Sequence, residues 1–348
     1  MMEKARESRV VKLIDYAPGE LKARDFAVVQ ATVAEPGPRE VLVRNRWFRV
    51  SISTRLMAQE GAEAVAGIPF PPLKPGDTLA DGAIGEVVLA GAGAGLSVGS
   101  LVMHPLGWRD YAVIAADQCT VLEPADIDPV EWLGHGWTAY AALTEGIQIY
   151  QGDTVFVSSG AGAIGSMAGQ IARLLGAKRV IGSTSTMEKA HWMQTELGYD
   201  AVITRGGDAT IRDQLAHAAI GGIDVIVDMV GGEQLAVALE LAREGARCIL
   251  LGALTAELNP GNATLRAPVA LDSFQLIIKG VTVRGFSACE HAPGKFAAWL
   301  RQLASWRRDG AIRLPHTTIK GMEHAPFALQ EACAGRLKGL VLVELESL

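Results

Sequence analysis

The segment Val155 to Ser166, VFVSSGAGAIGS, constrains the fold of this chain more than any other. A short apolar run ends in Gly160, Gly162 and Gly165, and an amphipathic stretch follows at once. In a strand–turn–helix each of these glycines has a physical purpose. The first permits a tight turn, the second lets the backbone approach a pyrophosphate, and the third lets the helix pack closely on the strand. The helix N-terminus then offers unpaired N–H donors to the anion. Glycine spacing alone is weak evidence, but between a strand and a helix at the head of an alternating series it predicts a dinucleotide site.

That series follows. Strands are expected at Thr154 to Val157, Arg179 to Ile181, Ala201 to Ile203, Val225 to Val227, Arg247 to Leu250 and Thr282 to Arg284. Helices are expected at Ala163 to Leu175, Met187 to Leu197, Ile211 to Ala218, Glu233 to Ala242 and Pro293 to Arg308. Strand and helix in alternation give an α/β class with a doubly wound, Rossmann-type parallel sheet. Upstream the texture differs: short β-rich runs at Ala27 to Val33, Glu40 to Val50, Gly82 to Leu89 and Tyr111 to Ala115 stand between Gly and Pro turns. They predict a β-rich, barrel-like domain, with Phe70 to Asp77 as a surface loop because of its prolines. A last strand, Gly339 to Glu344, is expected to return to that domain. The division is 1–125 with 315–348 for the β-rich domain, and 126–314 for the nucleotide domain.

Composition narrows the function. The 348 residues are 49% hydrophobic and 20% charged, with a formal charge of −6. Such a chain buries cores and has no electrostatic reason to bind nucleic acid. The longest apolar runs, such as Cys248 to Leu254, fall far short of the roughly 20 residues that span a bilayer, and the N-terminus has no secretory h-region. A cytoplasmic, membrane-free protein is expected. Cys119, Cys248, Cys289 and Cys333 form no C-x-x-C pair, and His104 and His135 stand alone. A catalytic zinc needs three convergent ligands, so no metal is expected.

Cofactor choice depends on the end of the second strand, where an acid would accept the ribose 2′-OH of NAD. Here stand Gly182-Ser183-Thr184-Ser185, with Lys189 on the next helix and Arg205 after the third strand. Hydroxyls and a cation without a carboxylate favour a 2′-phosphate, hence NADPH. The expected cofactor contacts are Ser159, Gly160, Gly162, Ala163, Ile164 and Gly165 at the fingerprint and Ser183, Thr184, Ser185, Lys189 and Arg205 at the phosphate. Met229, Val230 and Gly231 follow the fourth strand, Gly252, Ala253 and Leu254 the fifth, and Phe286, Ser287 and Thr138 complete the set.

With those residues in view, the chain resembles the medium-chain dehydrogenase/reductase superfamily, in its zinc-independent branch of prostaglandin reductases, leukotriene B4 dehydrogenase-like enzymes and curcumin or 2-alkenal reductases. Carrying the resemblance are Gly107-Trp108-Arg109-Asp110-Tyr111, Trp137-Thr138-Ala139-Tyr140, Gly152-Asp153-Thr154-Val155, Glu196-Leu197-Gly198-Tyr199-Asp200, Val230-Gly231-Gly232 and Gly321-Met322-Glu323-His324-Ala325-Pro326. It implies a GroES-like β domain beside the Rossmann domain, a homodimer, and NADPH-dependent reduction of the carbon–carbon double bond of enones or enals, bound between the domains. Zinc-dependent relatives carry Gly-His-Glu where this chain has Asp81-Gly82-Ala83-Ile84-Gly85-Glu86. The branch's substrate-side tyrosine is replaced by Ser53, and its loop asparagine by Met229. Ser53 and His135 are the candidate catalytic donors, and Ser53, Trp108, Trp137, Leu254 and Phe286 the candidate substrate pocket. Three alternatives share this pattern: a quinone reductase, a zinc-free carbonyl or alcohol dehydrogenase, and a noncatalytic NADPH-binding protein.

Overall fold

The computed structural model describes residues 6–17, 19–62, 71–122, 128–206, 209–259, 264, 266–287 and 294–346. Phe70, Cys289, Pro293 and the expected domain border at 125–126 lie outside the described residues. The chain divides into two compact units. One comprises Met1–Gly134, Leu258–Ala263 and His316–Leu348, the other His135–Glu257 and Thr264–Pro315.

The first unit opens with β1 (Arg6–Leu13) and β2 (Phe26–Val33), an antiparallel ribbon in unbroken register from Arg6↔Val33 to Leu13↔Phe26. Then come β3 (Glu40–Arg49), the short α1 (Thr54–Met57), β4 (Ala83–Ala90), β5 (Leu101–His104), β6 (Tyr111–Ala115), β7 (Thr120–Val121) and α2 (Pro129–Leu133). Asp128 caps α2 by accepting from Val130 N–H, with Pro129 at the first helical position, where a missing N–H costs nothing.

The second unit begins with α3 (Gly136–Ala141). Its next elements are β8 (Thr154–Val157), α4 (Gly165–Leu174), β9 (Arg179–Thr184), α5 (Met187–Leu197), β10 (Ala201–Thr204), α6 (Ile211–Ala218), β11 (Ile223–Asp228), α7 (Gly232–Glu240), β12 (Ala242–Leu250), α8 (Leu254–Glu257), α9 (Ser273–Lys279), β13 (Thr282–Gly285) and α10 (Lys295–Arg308). Strand and helix alternate from β8 to β12, with both α8 and α9 before the last strand, β13. The six strands form one parallel sheet in the order β10-β9-β8-β11-β12-β13. Chain direction along the sheet reverses between β8 and β11, and the crevice beyond the carboxyl ends there is where such sheets bind ligands. Val155, Phe156 and Val157 are fully buried; each such burial is worth roughly 1.5–3 kcal/mol, which fixes β8 at the centre.

The chain then returns to the first unit as β14 (His316–Lys320), α11 (Ala325–Cys333) and β15 (Leu340–Glu344). The larger sheet of that unit runs β14-β15-β3-β4-β5-β7, with β6 also paired to β3. The Rossmann-type sheet and the separate β-rich unit match the expected fold class. β1, β14 and α11 were not expected. β1 mixes charged residues with buried positions on both faces, Ser8 and Val10 on one and Val11 and Leu13 on the other, while β14 is a polar edge strand, HTTIK, with every second residue exposed. Neither carries the continuous apolar signal of the central strands.

Within the first unit His104 is a core residue. Its Nδ1 accepts from Leu106 N–H at 3.2 Å, so Nε2 carries the proton and donates to Asn45 Oδ1 at 2.8 Å. The Asn45 amide donates in turn to the carbonyls of Leu106 and Arg109. Burial, with Arg109 nearby, lowers the His104 pKa from 6.5 to about 4. Above pH 6.5 the ring is neutral folded or unfolded; as pH falls toward 4 the unfolded chain binds a proton that the native ring refuses. Native stability therefore declines across that window, by about 3 kcal/mol from this residue. In urea titrations from pH 7 to pH 4, His104→Gln should lose less stability than the unmodified protein, and parallel curves would refute the assignment.

Candidate dinucleotide site

The glycine-rich turn after β8 is tight for identifiable reasons. Ser159 adopts the left-handed region at φ 53°, which costs a non-glycine residue free energy and marks a conformation imposed by its surroundings. Gly160 N–H donates to Ser183 O at 2.8 Å, and a Cβ at Gly160 would lie 2.3 Å from the Met193 methyl. A Cβ at Gly165 would lie 2.2 Å from Ser159 O, so α4 packs against its own turn at a distance only glycine allows. At Gly162 an added Cβ would meet only Ser159, its Oγ at 3.1 Å and its O at 3.3 Å. This second glycine is the roomier one, as the approach of a pyrophosphate requires.

Tyr199 is the residue that sequence reasoning passed over here. Its hydroxyl donates to Gly165 O at 2.7 Å, and its ring lies where side chains at Gly169 and Gly182 would collide with it, at 2.3 and 2.7 Å. Two further glycines, outside the fingerprint, thus make room for one buried ring between α4 and β9. The clue was present: a tyrosine in a strand-leading position with small residues both on the preceding helix and in the neighbouring strand. α4 has no side-chain N-cap, whereas Thr186, Thr210 and Asp272 cap α5, α6 and α9. Its N-terminal turn, Ala163, Ile164 and Gly165, is thus without a side-chain cap, the kind of helix end suited to an anion.

Of the residues expected at the 2′-phosphate, Thr184 is buried and its carbonyl accepts from Arg205 N–H at 3.2 Å. Ser185 is half-buried and Arg205 exposed beside it. Lys189 sits in the first turn of α5, its N–H donating to Thr186 Oγ1 at 3.2 Å, with the side chain largely buried. Ser183 requires a correction. Its hydroxyl donates to Gln234 Oε1 at 2.6 Å and accepts from Ser159 N–H at 3.0 Å, and the residue is 2% exposed. A hydroxyl has one proton to give, so Ser183 is not a phosphate donor.

The loops after β11 and β12 form one wall. Met229, Val230 and Gly231 are buried, and Gly231 and Gly232 take positive φ of 74° and 56°. Leu254 N–H donates to Met229 O at 2.9 Å, and Thr255 Oγ1 to Val230 O at 2.8 Å. Gly252 lies against Met229, whose carbonyl would be 3.3 Å from a Cβ there. Ala253 and Leu254 are half-buried. Beyond β13, Phe286 N–H donates to Leu250 O at 3.0 Å and its ring packs beside Gly146, while Ser287 is exposed. His135 precedes α3, half-buried; Trp137 and Thr138 on α3 are half-buried too, and Trp137 meets Phe296 edge-on at 5.9 Å.

In the β-rich unit Ser53 is half-buried at the start of α1. Trp108 is fully buried against Phe48, ring centroids 5.0 Å apart, in the core of that unit. It is therefore a framework residue and presents no face to a pocket. Asp81 Oδ1 accepts from Arg49 Nε at 2.9 Å and from Gly82 N–H at 2.7 Å. Among the described residues no three of His, Cys, Asp or Glu converge as metal ligands, and both His104 ring nitrogens are already bonded. Among the described residues the donor set does not fit zinc.

Comparison with known proteins gives two family matches: residues 163–305 match the family described as "Zinc-binding dehydrogenase", and residues 9–122 "N-terminal domain of oxidoreductase". The chain is 30% identical over 328 residues to "Putative NADP-dependent oxidoreductase YfmJ" of Bacillus subtilis, covering 92% of this chain and 93% of that one. It is 27% identical over 357 residues to "2-alkenal reductase (NADP(+)-dependent)" of Nicotiana tabacum, covering 99% and 98%. Among solved structures, CurA in complex with NADPH from Vibrio vulnificus superposes with a TM-score of 0.86 at 27% identity, covering 98% and 100%.

The two fingerprint glycines with different surroundings should respond differently to one methyl group. Gly165→Ala must displace backbone and should cost about 1–3 kcal/mol of stability. Gly162→Ala should change stability by less than about 1 kcal/mol and yet weaken dinucleotide binding at least tenfold. Thermal unfolding together with a dinucleotide titration separates the two, and equal stability losses would contradict this account.

Proposed function

The chain belongs to the medium-chain dehydrogenase/reductase superfamily, and from that premise we propose that it uses NADPH to reduce the carbon–carbon double bond of α,β-unsaturated carbonyl compounds. The observation that carries the cofactor half is the strand–glycine turn–helix of β8 and α4, with an uncapped helix end and no carboxylate at the end of β9. The substrate half draws support from the 2-alkenal reductase relative.

The N-terminus of α4 and the turn at Gly162 hold the pyrophosphate, and the wall of Met229, Val230, Gly252 and Leu254 holds the nicotinamide end. Thr184, Ser185, Lys189 and Arg205 supply the surroundings of the 2′-phosphate. When bound, NADPH supplies a hydride to the electron-poor β-carbon. The electron pair displaced from the double bond then moves onto the carbonyl oxygen, where one hydrogen-bond donor is sufficient. Ser53 is the proposed donor, and His135 or solvent delivers the proton to the α-carbon. Trp137, Leu254 and Phe286 are proposed as apolar lining.

No zinc takes part in this reading, since Asp81 is held by Arg49 and His104 by Asn45 and Leu106. A cytoplasmic location is proposed as well; among the described residues no helix is long and apolar enough to cross a membrane. A homodimer is proposed through β13. That edge strand is exposed at all four positions, and Phe274, Ile277 and Ile278 on α9 are exposed too. An open sheet edge flanked by apolar side chains invites pairing, and a twofold axis covers two identical edges at once.

Incubated with NADPH and a simple enone, the chelated protein should yield the saturated carbonyl, identified by mass and NMR. An allylic alcohol as main product, or activity lost with a stoichiometric metal, would overturn the reading. Equal or tighter binding of NADH than NADPH would overturn the cofactor assignment.

Sedimentation at micromolar concentration should give a dimer, converted largely to monomer by Ile277→Asp with Val283→Lys. A monomer before substitution would remove the interface.

A further inference from the structure

Beneath the dinucleotide crest runs a chain of buried hydrogen bonds that closes on itself. Ser158 Oγ donates to Asp228 Oδ1 at 2.7 Å and accepts from Met229 N–H at 2.8 Å. Asp228 Oδ2 accepts from Gly231 N–H at 2.8 Å, and Oδ1 from Val230 N–H at 3.3 Å. Three residues beyond Gly231 stands Gln234, in the first turn of α7, whose Oε1 accepts from Ser183 Oγ at 2.6 Å. Ser183 Oγ accepts from Ser159 N–H at 3.0 Å, and Ser183 O from Gly160 N–H at 2.8 Å. Ser158 and Ser159 are neighbours, so the circuit is complete. It joins the carboxyl ends of β8, β9 and β11 through four side chains, each at most 5% exposed.

Five of the circuit's seven hydrogen bonds take a backbone N–H as donor. Ser183 secures the N–H groups of Ser159 and Gly160, which holds Ser159 in its left-handed conformation. Asp228 gathers Val230 and Gly231 N–H around one carboxylate and so shapes the loop after β11. Burial raises the Asp228 pKa, while Ser158 and the two backbone donors act against that rise. Since three donors converge on it, Asp228 serves as an acceptor, and an amide in its place would turn an N–H₂ toward one of them.

We infer that Ser158, Asp228, Gln234 and Ser183 are positioning residues for the bound dinucleotide: they set the spacing of the glycine-rich turn and the β11 loop without touching the ligand. The inference rests on the dinucleotide reading above. It assigns Ser183 to the turn and leaves the 2′-phosphate to Thr184, Ser185, Lys189 and Arg205. A brace of this kind acts on everything the turn binds, so its removal weakens NADPH and NADH by the same factor. A phosphate contact would discriminate between them.

Ser183→Ala, Gln234→Ala and the double variant are titrated with both dinucleotides. Each single change should raise both dissociation constants about tenfold with their ratio unchanged. In turnover the loss should appear in KM for the cofactor more than in kcat. Because each change breaks the same link, the double variant should lose about tenfold in place of a hundredfold. Selective loss of NADPH in Ser183→Ala would make Ser183 a phosphate contact and overturn the inference. So would unchanged affinities, even with lowered thermal stability, or multiplicative losses in the double variant. Failure of the unmodified protein to bind either dinucleotide would instead bring down the functional reading, and this inference with it.

Discussion

The second unit depends on how closely a helix can approach its own turn. Between Gly165 and Ser159 O there is no room for a methyl group, and that contact aims the N-terminus of α4 across the carboxyl ends of the central strands. Tyr199 completes the arrangement from the other side, bonded to Gly165 O and seated against Gly169 and Gly182. The glycines thus do two different jobs. Gly162 is left comparatively open, as the proposed ligand requires, whereas Gly165, Gly169 and Gly182 leave space for protein. Packing at native density couples them, because a helix displaced by even a fraction of an ångström would no longer present its N–H groups at the turn.

How much of this was legible in the sequence follows from the range of each interaction. The fingerprint is local: strand, glycine spacing and helix fall within twelve consecutive residues, and α5 and α6 begin and end where the periodicity and caps place them. The brace is not local. Ser158 and Asp228 are 70 residues apart, Ser183 and Gln234 51, and no spacing rule announces such pairs. Ser183 was read as a phosphate donor because position and chemistry both suited it. What the sequence could not display was a buried acceptor, Gln234, already using its proton. Trp108 was misread for a related reason, since an aromatic residue next to Gly107 suits a pocket wall as well as a core, and only its packing on Phe48 decides.

In the β-rich unit the same logic governs ionisable groups. His104 and Asp81 are buried groups of kinds that can ligate metals, and each is committed to protein partners. Burial and nearby Arg109 keep the imidazole neutral while Asn45 and Leu106 satisfy its two nitrogens, and Arg49 takes the carboxylate. Burying these groups is tolerable only because each has partners, and the partners in turn fix the turns around Gly82 and Leu106. Residues that could have bound a cation have become part of the scaffold.

A consequence for chemistry follows from that commitment. A metal ion stabilises a developing alkoxide directly and makes reduction of an isolated carbonyl accessible. On the zinc-free reading proposed for this chain, the negative charge is spread by the substrate itself, which conjugation to a double bond accomplishes by moving charge away from the carbon that receives the hydride. The burden on the protein then shifts from charge stabilisation to placement, since a hydride donor and an acceptor carbon react only when held in register. This is the demand that a rigid crest meets. Ser158, Asp228, Ser183 and Gln234 carry no exposed reactive atom; by fixing the backbone of two loops they determine where the reacting atoms can stand.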